Sequence, residues 1–209
     1  MAPDRASPPA GPEPAALQEL ALLSGASAAA VIRSAAVRVD GRLARMCRTG
    51  CGNYGLAAGC PPHVGGPAEL RRLAARLTRA LVFRVDLPAE ELLSGRDPLL
   101  LRPVHCIAAA VEEAALARGA VRARGLAGGS CLPLFCADRP GCRVVEEGGG
   151  CLHPRLARPS MSGFGIDVQS LFRAAGWSLW RGPAGEPGSL GSLAGLVLWQ
   201  PAPGVSPPA

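Results

Sequence analysis

The stretch "GGSCLPLFCADRPGCRVVEEGGGCLHP", residues 128–154, places Cys131, Cys136, Cys142 and Cys151 in one glycine-flanked segment with no sustained helix or strand period. A segment that cannot bury a periodic apolar face needs another source of order, and four thiols can supply it as cross-links or as metal ligands. Cross-links are not required for folding. A chain of 209 residues with 48% hydrophobic content is long enough to bury a core as one domain. Disulfide-built secreted domains are usually shorter than about 100 residues and follow a signal peptide. Here the opening "MAPDRASPPAGPEP" carries Asp4 ahead of any apolar run and is rich in proline, so residues 1–15 read as a disordered leader. A cytoplasmic, reducing location is therefore expected, where clustered cysteines serve as metal ligands or redox groups.

Charge and composition exclude several functions. All 22 basic residues are arginine, so mechanisms that need a lysine, such as a Walker A loop or a Schiff base, are ruled out. The net charge of +6 comes from scattered arginines, with aromatics at only 4% and no reader motif, so nucleic-acid binding is not expected. No apolar run approaches the roughly 20 residues of a membrane span, so no membrane association is expected.

A first cysteine group lies in "CRTGCGNYGLAAGCPPH", where Cys47, Cys51 and Cys60 are spaced C-x3-C-x8-C. Glycine lets a chain wrap closely around a metal, and Cys60 precedes Pro61 and Pro62 much as the last cysteine of ferredoxin-type loops precedes proline. Three thiolates leave a fourth position for water, substrate, His63 or a thiol from elsewhere. The second group, C-x4-C-x5-C-x8-C, carries the four thiolates that an iron–sulfur cluster or a structural zinc ion needs. Its gaps match neither zinc knuckles nor tight ferredoxin runs. His63 and His153 follow Cys60 and Cys151 closely enough to serve as alternative ligands or hydrogen-bond donors. Cys106, on an apolar helical stripe beside His105, reads as a core thiol. Ser160 reads as a cap or turn residue, Arg158 as an anion or cluster-charge partner, and Asp167 as a helix-start carboxylate.

The rest of the chain alternates helix and strand. Helices are expected over 16–23, 65–80, 103–119 and 165–176, with strands over 29–39, 80–87, 120–129, 177–180 and 193–200. The fold class is α/β: a single domain, residues 16–200, with two irregular cysteine-rich metal loops and a disordered tail at 201–209.

The motifs "CRTGCGNYG…GCPP", "AGGSC…FC…C…CLHP" and "ARPSMSGFGIDVQSLFRAAGW" resemble, from Val39 to Trp180, a family of predicted metal-binding proteins, domain of unknown function 2284. Many members carry C-x2-C-x2-C after the glycine pair, whereas this chain has "CLPLFC" and a later Cys142, a variant arrangement. The resemblance implies metal or iron–sulfur binding and names no reaction. The function expected from the sequence is a cytoplasmic iron–sulfur protein with one or two 4Fe-4S clusters. It would carry electrons to a redox partner protein or assist a redox enzyme. A zinc-stabilised interaction module and a metalloenzyme acting at an open cluster position are the alternatives. Arg45, Arg48, Arg139, Arg143, Arg155 and Arg158, beside the ligands, are read as offsetting cluster charge.

Overall fold

A computed structural model of the chain describes residues 11–182, 186 and 188–202. Most of the leader and most of the tail fall outside these residues.

The chain opens with α1 (Pro14–Leu23), starting two residues before the expected helix because Pro14 fits the first turn, and β1 (Ala28–Arg33) follows. The strand expected to reach residue 39 stops at Arg33. There Ser34–Ala36 forms a 3-10 turn, with Ser34 Oγ donating to Ala74 O at 2.8 Å. Next come α2 (Gly41–Gly50), α3 (Gly66–Arg76) and β2 (Arg79–Pro88). Between β2 and the helix expected from residue 103, where the sequence suggests neither helix nor strand, lies a short helix, α4 (Ala89–Ser94). Then follow α5 (Arg102–Ala117), β3 (Arg122–Ala127), the single turns α6 (Leu132–Phe135) and α7 (Arg143–Glu146), and α8 (Val168–Ala174). Two strands finish the fold, β4 (Trp180–Arg181) and β5 (Leu190–Gln200).

The five strands form one sheet in the order β1-β2-β5-β3, with β4 pairing with β5 beyond that path. Every strand pair is antiparallel, so the fold mixes helix and sheet as expected, without parallel crossovers. The strands β2 and β5 read as continuous apolar runs because both faces of the sheet are covered. One face turns Leu81, Phe83, Val197 and Trp199 toward Leu17 of α1 and Ile107 and Val111 of α5. The other turns Ala80, Val82, Leu196 and Leu198 toward Leu70, Phe164, Leu171 and Phe172. That alternation is the period-two signature of a strand. Phe83 sits opposite Gly195 in the β2–β5 register, where any Cβ would overlap its ring. Among the described residues no helix is long and apolar enough to cross a membrane.

The cysteine segments gather at one end of this sheet. After β3, Gly129 at φ +77° turns the chain toward Cys131. The 159–167 segment returns to the same region. Ser160 pairs with Ala127 in a parallel bridge, and Ser160 N donates to Gly59 O at 2.8 Å. Ile166 bridges Val39, and Asp40 N donates to Gly165 O at 2.8 Å. Gly165 is required there, because its φ is +73° and a Cβ would run into the Asp40 carbonyl.

Candidate metal centre

The first cysteine group is not purely a loop. Cys47 sits on α2, whose start is capped by Asp40 accepting from Arg42 N at 2.8 Å, and Cys51 lies at its C-terminal cap. This helix has no fully buried residue. Its Leu43, Met46 and Cys47 instead line a cavity of about 590 Å³ that Cys51 and Cys60 also line. The opposite wall comes from Ser160, Ser162 and the Ile166–Gln169 stretch. Cys60 is only 4% exposed, Cys47 is half-buried and Cys51 is exposed.

Cys131, Cys136, Cys142 and Cys151 together line a second, tight cavity of about 20 Å³. The structure thus brings all four thiols of the second group around one space. His153 also lines that space, and its backbone N–H donates to Cys151 Sγ at 3.4 Å. Phe135, between Cys131 and Cys136, holds the segment to the fold. Its ring meets His105 edge-on at 5.8 Å and His153 at 5.9 Å, and the Arg102 guanidinium lies 5.6 Å from its centre. His63 lines neither cavity; its Nε2 lies 2.9 Å from Gly55 O. Cys106 lines neither and is half-buried, so the core reading holds only in part.

The two groups adjoin through Cys60. A Cβ on Gly59 would lie 3.6 Å from Cys131 Sγ, and the Cys60 thiol is close enough to act on the ionisation of Cys131. Burial, reinforced by Cys60, Cys151, Cys142 and Cys136, pushes the Cys131 thiol up to about 12. Burial likewise raises Cys60, against a hydrogen bond from Ser130, with Cys51, Cys47 and Cys142 adding to the rise. Burial and Cys51 raise Cys47, and burial, Cys151 and Cys142 raise Cys136. Metal-free, these groups are neutral thiols at neutral pH. A bound cation reverses that, since coordination stabilises the thiolate and expels the proton.

The donor chemistry fits a thiophilic metal: seven thiols in two adjacent sets, with no carboxylate among the described residues lining the four-cysteine cavity. Among the described residues, no group of three or more Cys, His, Asp or Glu side chains is already arranged to hold a metal ion.

The neighbouring polar residues have structural roles. Arg158, read as a partner for cluster charge, is 7% exposed and paired with Glu112 at 2.5 Å, an ionic approach without hydrogen-bond alignment. Its Nη1 donates to Pro154 O and Ala157 O at 3.1 and 3.0 Å, fixing the turn after Cys151. Arg139 and Arg143 pair with Glu147, and Arg155 with Glu113. Four of the six arginines read as offsetting cluster charge are therefore matched by carboxylates. Ser160 Oγ accepts from Gly163 N at 3.4 Å, the expected turn role. Asp167 caps α8, accepting from Ser170 N at 3.0 Å, and the Ser170 hydrogen bonds hold its carboxyl below the usual range.

Sequence reasoning missed His105, which is fully buried on α5. Its Nδ1 accepts from Arg158 N at 3.1 Å, and its Nε2 stands near Gly128 without hydrogen-bond geometry. A histidine beside the apolar "CIAAAV" run was the available clue.

No curated protein and no solved structure matches the chain. A family model described as a predicted metal-binding protein, domain of unknown function 2284, matches residues 30–198, and the chain belongs to that family.

Proposed function

We propose that this protein is a cytoplasmic iron–sulfur protein that uses its two cysteine groups as adjoining centres and passes electrons to a redox partner protein or enzyme. In this reading Cys131, Cys136, Cys142 and Cys151 hold a closed centre, and Cys47, Cys51 and Cys60 hold one with an open position. One observation carries it: four thiols line one tight cavity and three line another, with Cys60 beside Cys131. Seven thiols separated by long gaps suit a wide cluster better than a single ion, and a zinc-stabilised module remains the competing assignment. Bound clusters would supply one-electron chemistry. The protein's part is to fix the thiols, exclude water from Cys60, and donate N–H groups such as His153 N toward ligand sulfur.

The cavity beside the three-cysteine group favours a second reading, a metalloenzyme that acts on a molecule at the open position. Iron counting on Cys47→Ala and Cys131→Ala tests the two-centre arrangement. Each change is expected to remove about half of the iron. Loss of all iron from either variant points to one shared centre, and full retention in both refutes the ligand assignment.

A further inference from the structure

The cavity lined by Cys47, Cys51 and Cys60 is much larger than a metal centre needs. Its volume of about 590 Å³ falls in the range of pockets that enclose small organic molecules, roughly 300–1,000 Å³. Its walls are built for an occupant. The helix α2 buries none of its residues in the core, and Leu43 and Met46 face this space, with Met46 63% exposed. Ile166 and Val168 contribute apolar surface from the other side.

The charge of the lining is selective. The chain has 22 arginines and a net charge of +6, yet among the described residues no arginine lines this cavity. Among the described residues its single charged side chain is Asp167, held as a carboxylate by two hydrogen bonds from Ser170, at 3.0 Å from N and 2.6 Å from Oγ. Such a lining disfavours phosphates, sulfonates and carboxylates, which arginine ordinarily binds. Hydrogen bonding is nevertheless available. Ser160 Oγ already accepts from Gly163 N, which leaves its hydroxyl proton to donate, and Tyr54 and Gln169 also line the space.

We propose that this cavity binds a largely apolar organic molecule, uncharged or cationic, that lies against the three thiols. Its placement at an open metal position rests on the function proposed above, whereas the binding itself does not.

The test titrates the full-length, anaerobically purified protein with three tricyclic probes of similar size. These are acridine, which is uncharged at neutral pH, the N-methylacridinium cation and the anthracene-2-sulfonate anion, each followed by its fluorescence. Acridine and N-methylacridinium are expected to saturate one site, and the sulfonate to bind at least about tenfold more weakly, the effect of one nearby like charge. Ser162→Trp, on an exposed wall residue, should weaken acridine binding at least about tenfold by filling the space. Gln169→Arg should bring the sulfonate to equal or tighter binding than acridine. Circular dichroism checks that both variants fold, and Leu43→Trp serves as a second filling variant if Ser162→Trp does not. Equal binding of all three probes, no binding, or filling variants that bind normally would overturn the proposal. Metal content measured on the same samples separates the two readings. A zinc protein with the expected probe order refutes only the iron–sulfur reading, and an iron–sulfur protein that ignores the probes refutes only the ligand site.

Discussion

Acidification should destabilise the fold through His105. This imidazole is fully buried and accepts a hydrogen bond from Arg158 N at 3.1 Å, an arrangement that requires a neutral ring. Burial chiefly, with the Arg158 charge adding to it against the Gly128 contact, lowers its pKa from 6.5 to about 4. A depressed pKa means that the unfolded chain takes up the proton first. The stabilisation is therefore complete above about 6.5 and lost as the pH falls toward about 4. At about 1.4 kcal/mol per pH unit, that window corresponds to about 3 kcal/mol. The perturbation is His105→Asn, which keeps an acceptor for Arg158 N but has no proton to gain. Urea unfolding at a series of pH values gives the stability difference between the two proteins, and metal content is matched at each pH because acid also strips thiolate ligands. The wild-type advantage should shrink by about 3 kcal/mol between neutral pH and about pH 4. A constant difference across that range would refute the assignment of a buried neutral histidine.

Three further outcomes follow from the packing and the thiols. Gly195→Ala forces a methyl group into the buried Phe83 ring and should lower stability by about 1–3 kcal/mol in denaturant unfolding, an expectation that fails if the midpoint is unchanged. Glu112→Ala leaves the buried Arg158 guanidinium without its carboxylate and should cost about 3 kcal/mol by the same measurement; a loss under about 0.5 kcal/mol would show the pair to be dispensable. Because Cys131, Cys60, Cys47 and Cys136 are held protonated, metal uptake should release close to one proton for each of these thiols at neutral pH and tighten as pH rises. Uptake without proton release in weakly buffered solution would contradict their suppressed acidity.

The parts of the fold visible in the sequence were those with a strong local period. The runs around Phe83 and Leu196 read as buried strands, and the apolar stripe of "PVHCIAAAVEEAALARG" closed by Gly119 read as a helix. The helix α2 is absent from the expectations because the glycines around Cys47, Cys51 and Cys60 suggest a loop, although Asp40 caps its start. The expected first strand overshoots the observed end of β1 at Arg33 because nothing local announces that Ser34 will bond to Ala74. Within the candidate site, the grouping of Cys131, Cys136, Cys142 and Cys151 was legible from their proximity in the chain. The approach of Cys60 to Cys131 and the cavity between α2 and the Ile166–Gln169 stretch are not legible, since both join segments far apart in the chain, the cavity through the Val39–Ile166 bridge. Arg158 looked like a free cation because its carboxylate partner lies on α5, far back in the chain.

The identity of the metal decides between the two roles, and it is read from iron, acid-labile sulfide and zinc analysis of the full-length protein purified without oxygen, with an optical spectrum of the same sample. The iron–sulfur protein proposed here should be brown, with sulfide-to-metal charge-transfer absorption and iron and sulfide in about equal amounts. A colourless protein that holds stoichiometric zinc, and still holds it after anaerobic reconstitution with iron and sulfide, would contradict the redox role and leave a zinc-stabilised interaction module in its place.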